Sequence, residues 1–189
     1  NKCINFLYDY VEDQHKIPNE LIIAQAAIET GWGKSRFANE GNNLFGIRTW
    51  DLDTPHLKPF GDPSSIFGVK VFKNKCDSVK DYMRILNTGG AFEEFRELRF
   101  KMIKKDNIDV YALVEKLSRF ATDPNYVKFT EEVGMYLNKE VPLNHFVNTG
   151  WDDLSKISLT KQLEGCLSEK PETFVRFTDG TSNTIGYKV

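Results

Sequence analysis

The sequence predicts an α+β fold, mostly α, in which one small β-hairpin lobe interrupts a helical domain. Three observations predict it. Apolar residues recur at helical spacing along most of the chain. One of these segments, residues 18–30, is apolar on nearly every side and so belongs in a core. A single stretch, residues 44–73, changes texture: it holds Gly46, Gly61 and Gly68, Pro55, Pro59 and Pro63, and alternating runs such as Phe67-Gly68-Val69-Lys70-Val71-Phe72. That mixture marks turns and short strands.

The elements follow in order. Ile4, Leu7, Tyr8 and Val11 give residues 3–15 an amphipathic helical stripe. Ile17-Pro18-Asn19 breaks it, and Pro18 suits the first turn of the next helix, where its missing N–H costs nothing. That helix carries Leu21-Ile22-Ile23-Ala24-Gln25-Ala26-Ala27-Ile28 and stops at Gly31 and Gly33. Ser35-Arg36-Phe37-Ala38 reads as one helical turn and Glu40-Gly41-Asn42-Asn43 as a bend. After the β lobe, Asp77 or Ser78 caps a helix whose stripe is Val79, Tyr82, Met83 and Leu86. Ala91–Lys104, Asp109–Arg119 and Pro124–Leu137 read as further helices. Beyond Glu140 the texture is less regular, with a helix over Ser158–Leu167 and a strand over Thr173–Thr178. The expected division is a domain over 1–140 and an extension of unknown role over 141–189, docked on the domain through residues such as Trp151, Phe174 and Phe177 or else opening a wall-binding or partner-binding module.

Composition narrows the function. A chain of 189 residues suits one domain, and folding at this size buries roughly 70% of the unfolded surface. The 25 basic and 27 acidic residues leave a net charge of −2. That removes the simplest case for a nucleic-acid partner, a strongly basic domain. Apolar residues at 40% and charged residues at 28% exclude wholesale disorder. Aromatics at 13% fit either an aromatic core or a groove lined by flat rings. No apolar run is long enough to span a membrane. Cys3, Cys76 and Cys166, with His15, His56 and His145, are scattered, so no zinc site is readable, and no cofactor or metal is expected. From count alone, Cys3 and Cys166 staple the two ends in an oxidising compartment and leave Cys76 free.

Glu29 is the most unusual residue. It sits at the C-terminal end of the most apolar helix. The helix dipole disfavours negative charge there, and apolar surroundings disfavour ionisation. A carboxylic acid that keeps its proton near neutral pH is what a glycosidase needs to protonate a leaving oxygen. The alternative is a helix-end Glu turned to water. The glycines that follow keep the backbone close and leave room for a ligand.

The segment Ala24-Gln25-Ala26-Ala27-Ile28-Glu29-Thr30-Gly31-Trp32-Gly33, followed by Asn42-Asn43-Leu44-Phe45-Gly46-Ile47, resembles the family 73 glucosaminidases of the lysozyme-like group. Phe120-Ala121-Thr122-Asp123-Pro124-Asn125-Tyr126 is similar to that family's late motif, usually Tyr-Ala-Thr-Asp-Pro-x-Tyr. Asp77-Ser78-Val79-Lys80-Asp81-Tyr82, Leu86-Asn87-Thr88 and Glu94-Phe95-Arg96-Glu97-Leu98-Arg99 are closest to the Bax-like branch. The resemblance covers roughly residues 3 to 140. It implies a lysozyme-like helical domain with a substrate groove against the β lobe. It implies hydrolysis of the β-1,4 bond after N-acetylglucosamine in peptidoglycan, outside the cytoplasm. The partners expected are glycan strands, with no nucleic acid and no membrane span, and the chain is expected to be a monomer. Glu29 matches the catalytic acid. Trp32, Asn43, Phe45 and Gly46 match the groove beside it, although a buried packing cluster explains Trp32 and Phe45 equally well.

Two departures stand out. No Glu follows Ile47 until Glu93, so a second carboxylate must come from Asp51, Asp53 or Asp62, with Asp53 the candidate, or the substrate's acetamido group must assist. An inverting pair would stand roughly 6.5–9.5 Å apart. Phe120 keeps a ring at a place where the family usually has Tyr, and Tyr126 keeps the motif's second hydroxyl, for the site or for packing. The rivals are a muramidase or lytic transglycosylase on the same fold, and a glycan-binding protein without turnover.

Overall fold

The structure, a computed structural model, describes residues 17–117, Asn125, Lys128, 153–167, 175–178 and 185–188; of residues 153–157 and the last two segments only the backbone is described. The expected helices over 3–15 and Pro124–Leu137 lie outside these residues, as do Trp151 and Phe174.

Helix α1 (Asn19–Thr30) is the centre of the molecule, and Leu21 through Ala27 are all buried. Pro18 stands one residue before the helix as its N-cap. Its carbonyl accepts from the Leu21 and Ile22 N–H groups at 3.0 and 3.2 Å. Helix α2 (Arg36–Glu40) follows a tight turn and is capped by Ser35, whose Oγ accepts from Ala38 N–H at 3.1 Å.

The lobe holds β1 (Arg48–Thr49), β2 (His56–Leu57) and β3 (Gly68–Lys70), antiparallel in the order β1-β3-β2. The expected hairpin therefore gains a third strand from within the Pro-rich excursion. Pro55 bounds it, and its carbonyl accepts from Val71 N–H at 2.8 Å. Gly68 is required where the sheet folds over: a side chain there would collide with the His56 ring.

Helix α3 (Lys75–Thr88) begins earlier than expected. Asn74, in an extended conformation, is its cap, and Asn74 Oδ1 accepts from Asp77 N–H at 2.9 Å. Asp77 instead adds negative charge to the positive end of the helix. The buried Ser78 donates to the Lys75 carbonyl at 2.7 Å. Gly90–Phe92 forms a 3₁₀ turn, then α4 runs over Glu93–Lys104 and α5 over Val110–Glu115, capped by Asp109. Arg96 donates to the Leu86 and Gly89 carbonyls at 3.0 and 2.7 Å, closing the C-terminal end of α3.

Helix α6 (Asp153–Leu167) packs against α1 and α3. Its Leu159, Leu163 and Cys166 share one buried cluster with Leu21, Ile22, Trp32, Phe45, Tyr82, Leu86 and Phe95. Strands β4 (Val175–Thr178) and β5 (Ile185–Lys188) pair antiparallel. The whole is the α+β, mostly helical, lysozyme-like arrangement the sequence predicts.

The cysteine assignment needs correction. Cys166 is bonded to Cys76, not to Cys3, across a sequence separation of 90. The reason is packing: α6 lies along the start of α3, which brings the two Cα atoms to 5.3 Å, and Lys75 Nζ donates to Gln162 Oε1 at 2.9 Å beside them. A cross-link closing so long a loop removes much of the unfolded chain's freedom. Replacing both cysteines by serine should lower unfolding free energy by about 2–4 kcal/mol, read from the denaturant midpoint under non-reducing conditions. An unchanged midpoint would show that packing alone seats α6.

Candidate active site

The site begins with the end of α1. Gly31, Trp32 and Gly33 all take left-handed backbone angles, φ +54°, +58° and +83°. A bulky residue in that region is an outlier that needs support. The support is present. Trp32 N–H donates to the Ala27 carbonyl at 2.8 Å, and Ser35 N–H to the Thr30 carbonyl at 2.9 Å. The buried Thr30 hydroxyl donates to the Ala26 carbonyl at 2.6 Å and accepts from Gly33 N–H at 2.7 Å. The Trp32 side chain is only 2% exposed. The turn reverses the chain immediately after Glu29, which is half-buried.

The second part is the loop from Asn43 to Ile47. Asn43 is buried, and its amide works in four directions. Nδ2 donates to the carbonyls of Ile47 and Lys70 at 2.9 and 2.8 Å. Oδ1 accepts from the N–H groups of Phe45 and Ile47 at 3.3 and 3.0 Å. One side chain thus closes the loop and ties it to β3. Leu44 is wholly buried. Gly46 (φ +64°) comes against the acid: a Cβ there would lie 3.6 Å from Glu29 Oε2. Glu29 and Gly46, singled out separately in the sequence, are neighbours in space.

Beneath them lies Tyr82, which the sequence places only on the apolar stripe of its helix. Tyr82 of α3 stacks on Phe45, with centroids 4.1 Å apart and planes 11° from parallel. Its hydroxyl donates to Gln25 Oε1 at 2.6 Å, and both residues are fully buried. Burial first, and the charge of nearby Glu29 second, push the Tyr82 hydroxyl well above its ordinary pKa. A signal did exist: Gln25 is the polar residue of an apolar helix and stands four positions before Glu29, on the same face.

The other predicted residues fall elsewhere. Asp51 is exposed and serves a turn: it accepts from Asp53 N–H at 3.0 Å and Thr54 Oγ1 at 2.9 Å. The Thr54 hydroxyl, then the Asp53 N–H, hold its carboxyl below the usual value. Asp53 and Asp62 are also exposed in the lobe, and Asp62 accepts from Ser64 Oγ at 3.0 Å. Trp32, Asn43 and Phe45 are buried, so their described contacts are with protein. Phe120 and Tyr126 lie outside the described residues.

Comparison with known proteins now bears on this geometry. The family model described as mannosyl-glycoprotein endo-beta-N-acetylglucosaminidase matches residues 7–136. The chain belongs to this glucosaminidase family. By family it is a glycoside hydrolase. It is 32% identical to Protein bax of Escherichia coli over 107 residues, 56% of this chain and 37% of that protein. It is 32% identical to the peptidoglycan hydrolase FlgJ of Vibrio parahaemolyticus over 139 residues, 65% of this chain and 42% of that protein. It is 25% identical to the exo-glucosaminidase LytG of Bacillus subtilis over 122 residues, 61% of this chain and 42% of that protein. The chain thus spans less than half the length of these relatives. No solved structure matches it significantly. Among the described residues no helix is long and apolar enough to cross a membrane.

Two outcomes follow for this cluster of residues. Asn43→Ala removes four hydrogen bonds and should cost on the order of 3 kcal/mol, measured by chemical denaturation; a loss under about 0.5 kcal/mol would mean that water replaces the amide. Tyr82 should also make the protein sensitive to alkali. Its folded pKa is raised, so the unfolded chain loses this proton first, and stability falls as pH rises above about 10. The melting temperature of Tyr82→Phe, lower at neutral pH for want of the Gln25 hydrogen bond, should decline less steeply above that pH than wild type. Parallel declines would show that Tyr82 ionises freely in the folded protein.

Proposed function

We propose that this glucosaminidase domain hydrolyses peptidoglycan at the β-1,4 bond after N-acetylglucosamine, with Glu29 as general acid. The observation that carries the reading is the juxtaposition of Glu29 with Gly46. A carboxyl at the end of a buried helix faces a loop position without a side chain, where a sugar ring can approach it closely. The family description and the names of the peptidoglycan hydrolase and glucosaminidase relatives support the substrate and the bond.

Glu29 passes its proton to the glycosidic oxygen as the bond from that oxygen to the anomeric carbon breaks. The leaving sugar keeps the proton as its new hydroxyl. Water attacks the electron-poor anomeric carbon and loses a proton to a base. Asp53 of the β lobe is the protein candidate for that base, since Asp51 and Asp62 are already engaged in turns. Alternatively the substrate's own acetamido oxygen attacks the anomeric carbon as the glycosidic bond breaks, and water then opens the resulting oxazolinium ring and gives its proton to the Glu29 carboxylate, so that no second carboxylate is needed. Tyr126 is assigned a hydroxyl at the reacting sugar and Phe120 a ring beneath a neighbouring one. Gly46 takes backbone contact, while Trp32, Asn43 and Phe45 form the floor. The site of action is outside the cytoplasm, on glycan strands, with the chain as a monomer. The Cys76–Cys166 disulfide supports that compartment, because disulfides persist where thiols are not kept reduced.

A digest of purified peptidoglycan tests the reading, with released ends reduced by borohydride and identified by mass spectrometry. Wild type should release reduced N-acetylglucosamine ends, and Glu29→Gln should lose at least about a thousandfold in rate while remaining folded. Reduced N-acetylmuramic acid ends, or anhydro ends, would keep the acid and make the chain a muramidase or a transglycosylase. Binding of glycan without release of any fragment would overturn the hydrolase reading.

A further inference from the structure

We propose that helix α6 is a clamp on the catalytic turn and that Leu159 is a positioning residue acting on Glu29 through Gly33. The proposal rests on the assignment of Glu29 as the acid. It starts from strain. Three successive residues follow Glu29 in the left-handed region, and the middle one, Trp32, is not glycine. Such backbone persists only where its surroundings over-determine it. Hydrogen bonds from Thr30, Ala27 and Ala26 hold the turn from within α1. They do not cover its outer side.

Leu159 does. A Cβ built on Gly33 would lie 3.6 Å from Leu159 Cδ1 and 3.9 Å from its Cβ, so the leucine faces the open side of the glycine at ordinary packing distance from the Cβ position. Leu159 is 2% exposed, which means the turn and the helix close on each other. Glycine at 33 is called for by its φ of +83°, and Leu159 packs toward the side of the turn that the glycine leaves bare. The clamp is anchored independently of the turn. Cys166 is bonded to Cys76 two turns further along α6, and Gln162 accepts from Lys75. Both anchors lie at the start of α3, the helix that also carries Tyr82. Residues 153–167 lie beyond the segment 7–136 that defines the family match. The chain therefore supplies its own support for a turn belonging to the family segment, from outside that segment.

The test uses the full chain, soluble peptidoglycan fragments as substrate, and amide hydrogen exchange at Trp32 and Gly33. Leu159→Ala should lower kcat by between about ten- and a hundredfold and leave KM within about twofold. It should speed exchange of the two amides by at least about tenfold. Leu159→Met should restore most of both, and Leu159→Val gives the same pattern at smaller amplitude should the alanine variant fail to fold. Leu113→Ala is the control, a fully buried leucine on α5; it should lower the melting temperature comparably with kcat and exchange unchanged. A Leu159→Ala protein that melts lower yet keeps wild-type kcat and exchange overturns the clamp. So does equal loss of kcat in Leu113→Ala, which would mark general destabilisation. If wild type and Glu29→Gln are equally inactive while Leu159→Ala still frees the two amides, the clamp stands and the glycosidase reading falls.

Discussion

The rest of the structure depends on the left-handed turn that follows Glu29. A helix that simply ran on would carry the chain away from the lobe, and a helix that ended loosely would leave the carboxyl on a mobile tip. Gly31-Trp32-Gly33 does neither. It reverses the backbone within three residues and returns Ser35 N–H to the Thr30 carbonyl. A non-glycine residue in this region costs roughly 1–2 kcal/mol. Burial of the Trp32 indole offsets it, since a large aromatic ring removed from water contributes more than that. The turn is thus a place where core packing holds an unfavourable backbone, and the carboxyl beside it inherits the rigidity of the core.

A second constraint concerns the lobe. Its strands are two or three residues long, too short for independent stability, and Trp50, Phe60 and Ile66 stay exposed on it. Polar ties as well as the buried Ile47 and Val69 hold the lobe to the helical part. Asn43 joins the loop to β3. Lys70 of β3 reaches Asp81 of α3 at 2.9 Å, and Arg84 completes the cluster at 2.7 Å. Asp81 is nearly buried while Lys70 is partly exposed, so these contacts are screened less than a surface pair. Glu29 and the opposing Gly46 are therefore each set by apolar packing and hydrogen bonds together: the turn after Glu29 by the Trp32 burial and the Thr30 hydroxyl, the Gly46 loop by buried Leu44, Phe45 and Ile47 and the Asn43 amide.

Much of this was legible in residue order, and the parts that were not share a cause. Leu21 through Ile28 announced a buried helix because no face of it is polar enough for water. The two glycines after Glu29 announced a turn. Gly46 and Glu29 were each visible, but their contact was not, because it joins two loops through the tertiary fold. The third strand was hidden because His56-Leu57 lies among prolines and pairs through only two residues. The cap of α3 was misplaced by three residues because Asn74, Asp77 and Ser78 are all good caps locally. Only the extended backbone of Asn74 decides between them. The Cys76–Cys166 pairing was unreadable for the same reason as the Glu29–Gly46 contact: it depends on where α6 lands.

Where α6 lands also bears on what the extension is for. A helix attached only by a disulfide would be a passenger with a staple. This one places Leu159, Leu163 and Cys166 into the cluster that holds α1 and Trp32, so removing it would open the core. Interiors are packed too densely to leave a gap of that size unfelt. The turn most exposed to such a gap is the one already in an unfavourable conformation, and Glu29 stands two residues before its first residue, Gly31. Helix α6 therefore reaches to within one turn of backbone of the Glu29 carboxyl, and what it does for stability bears directly on how firmly that carboxyl is held.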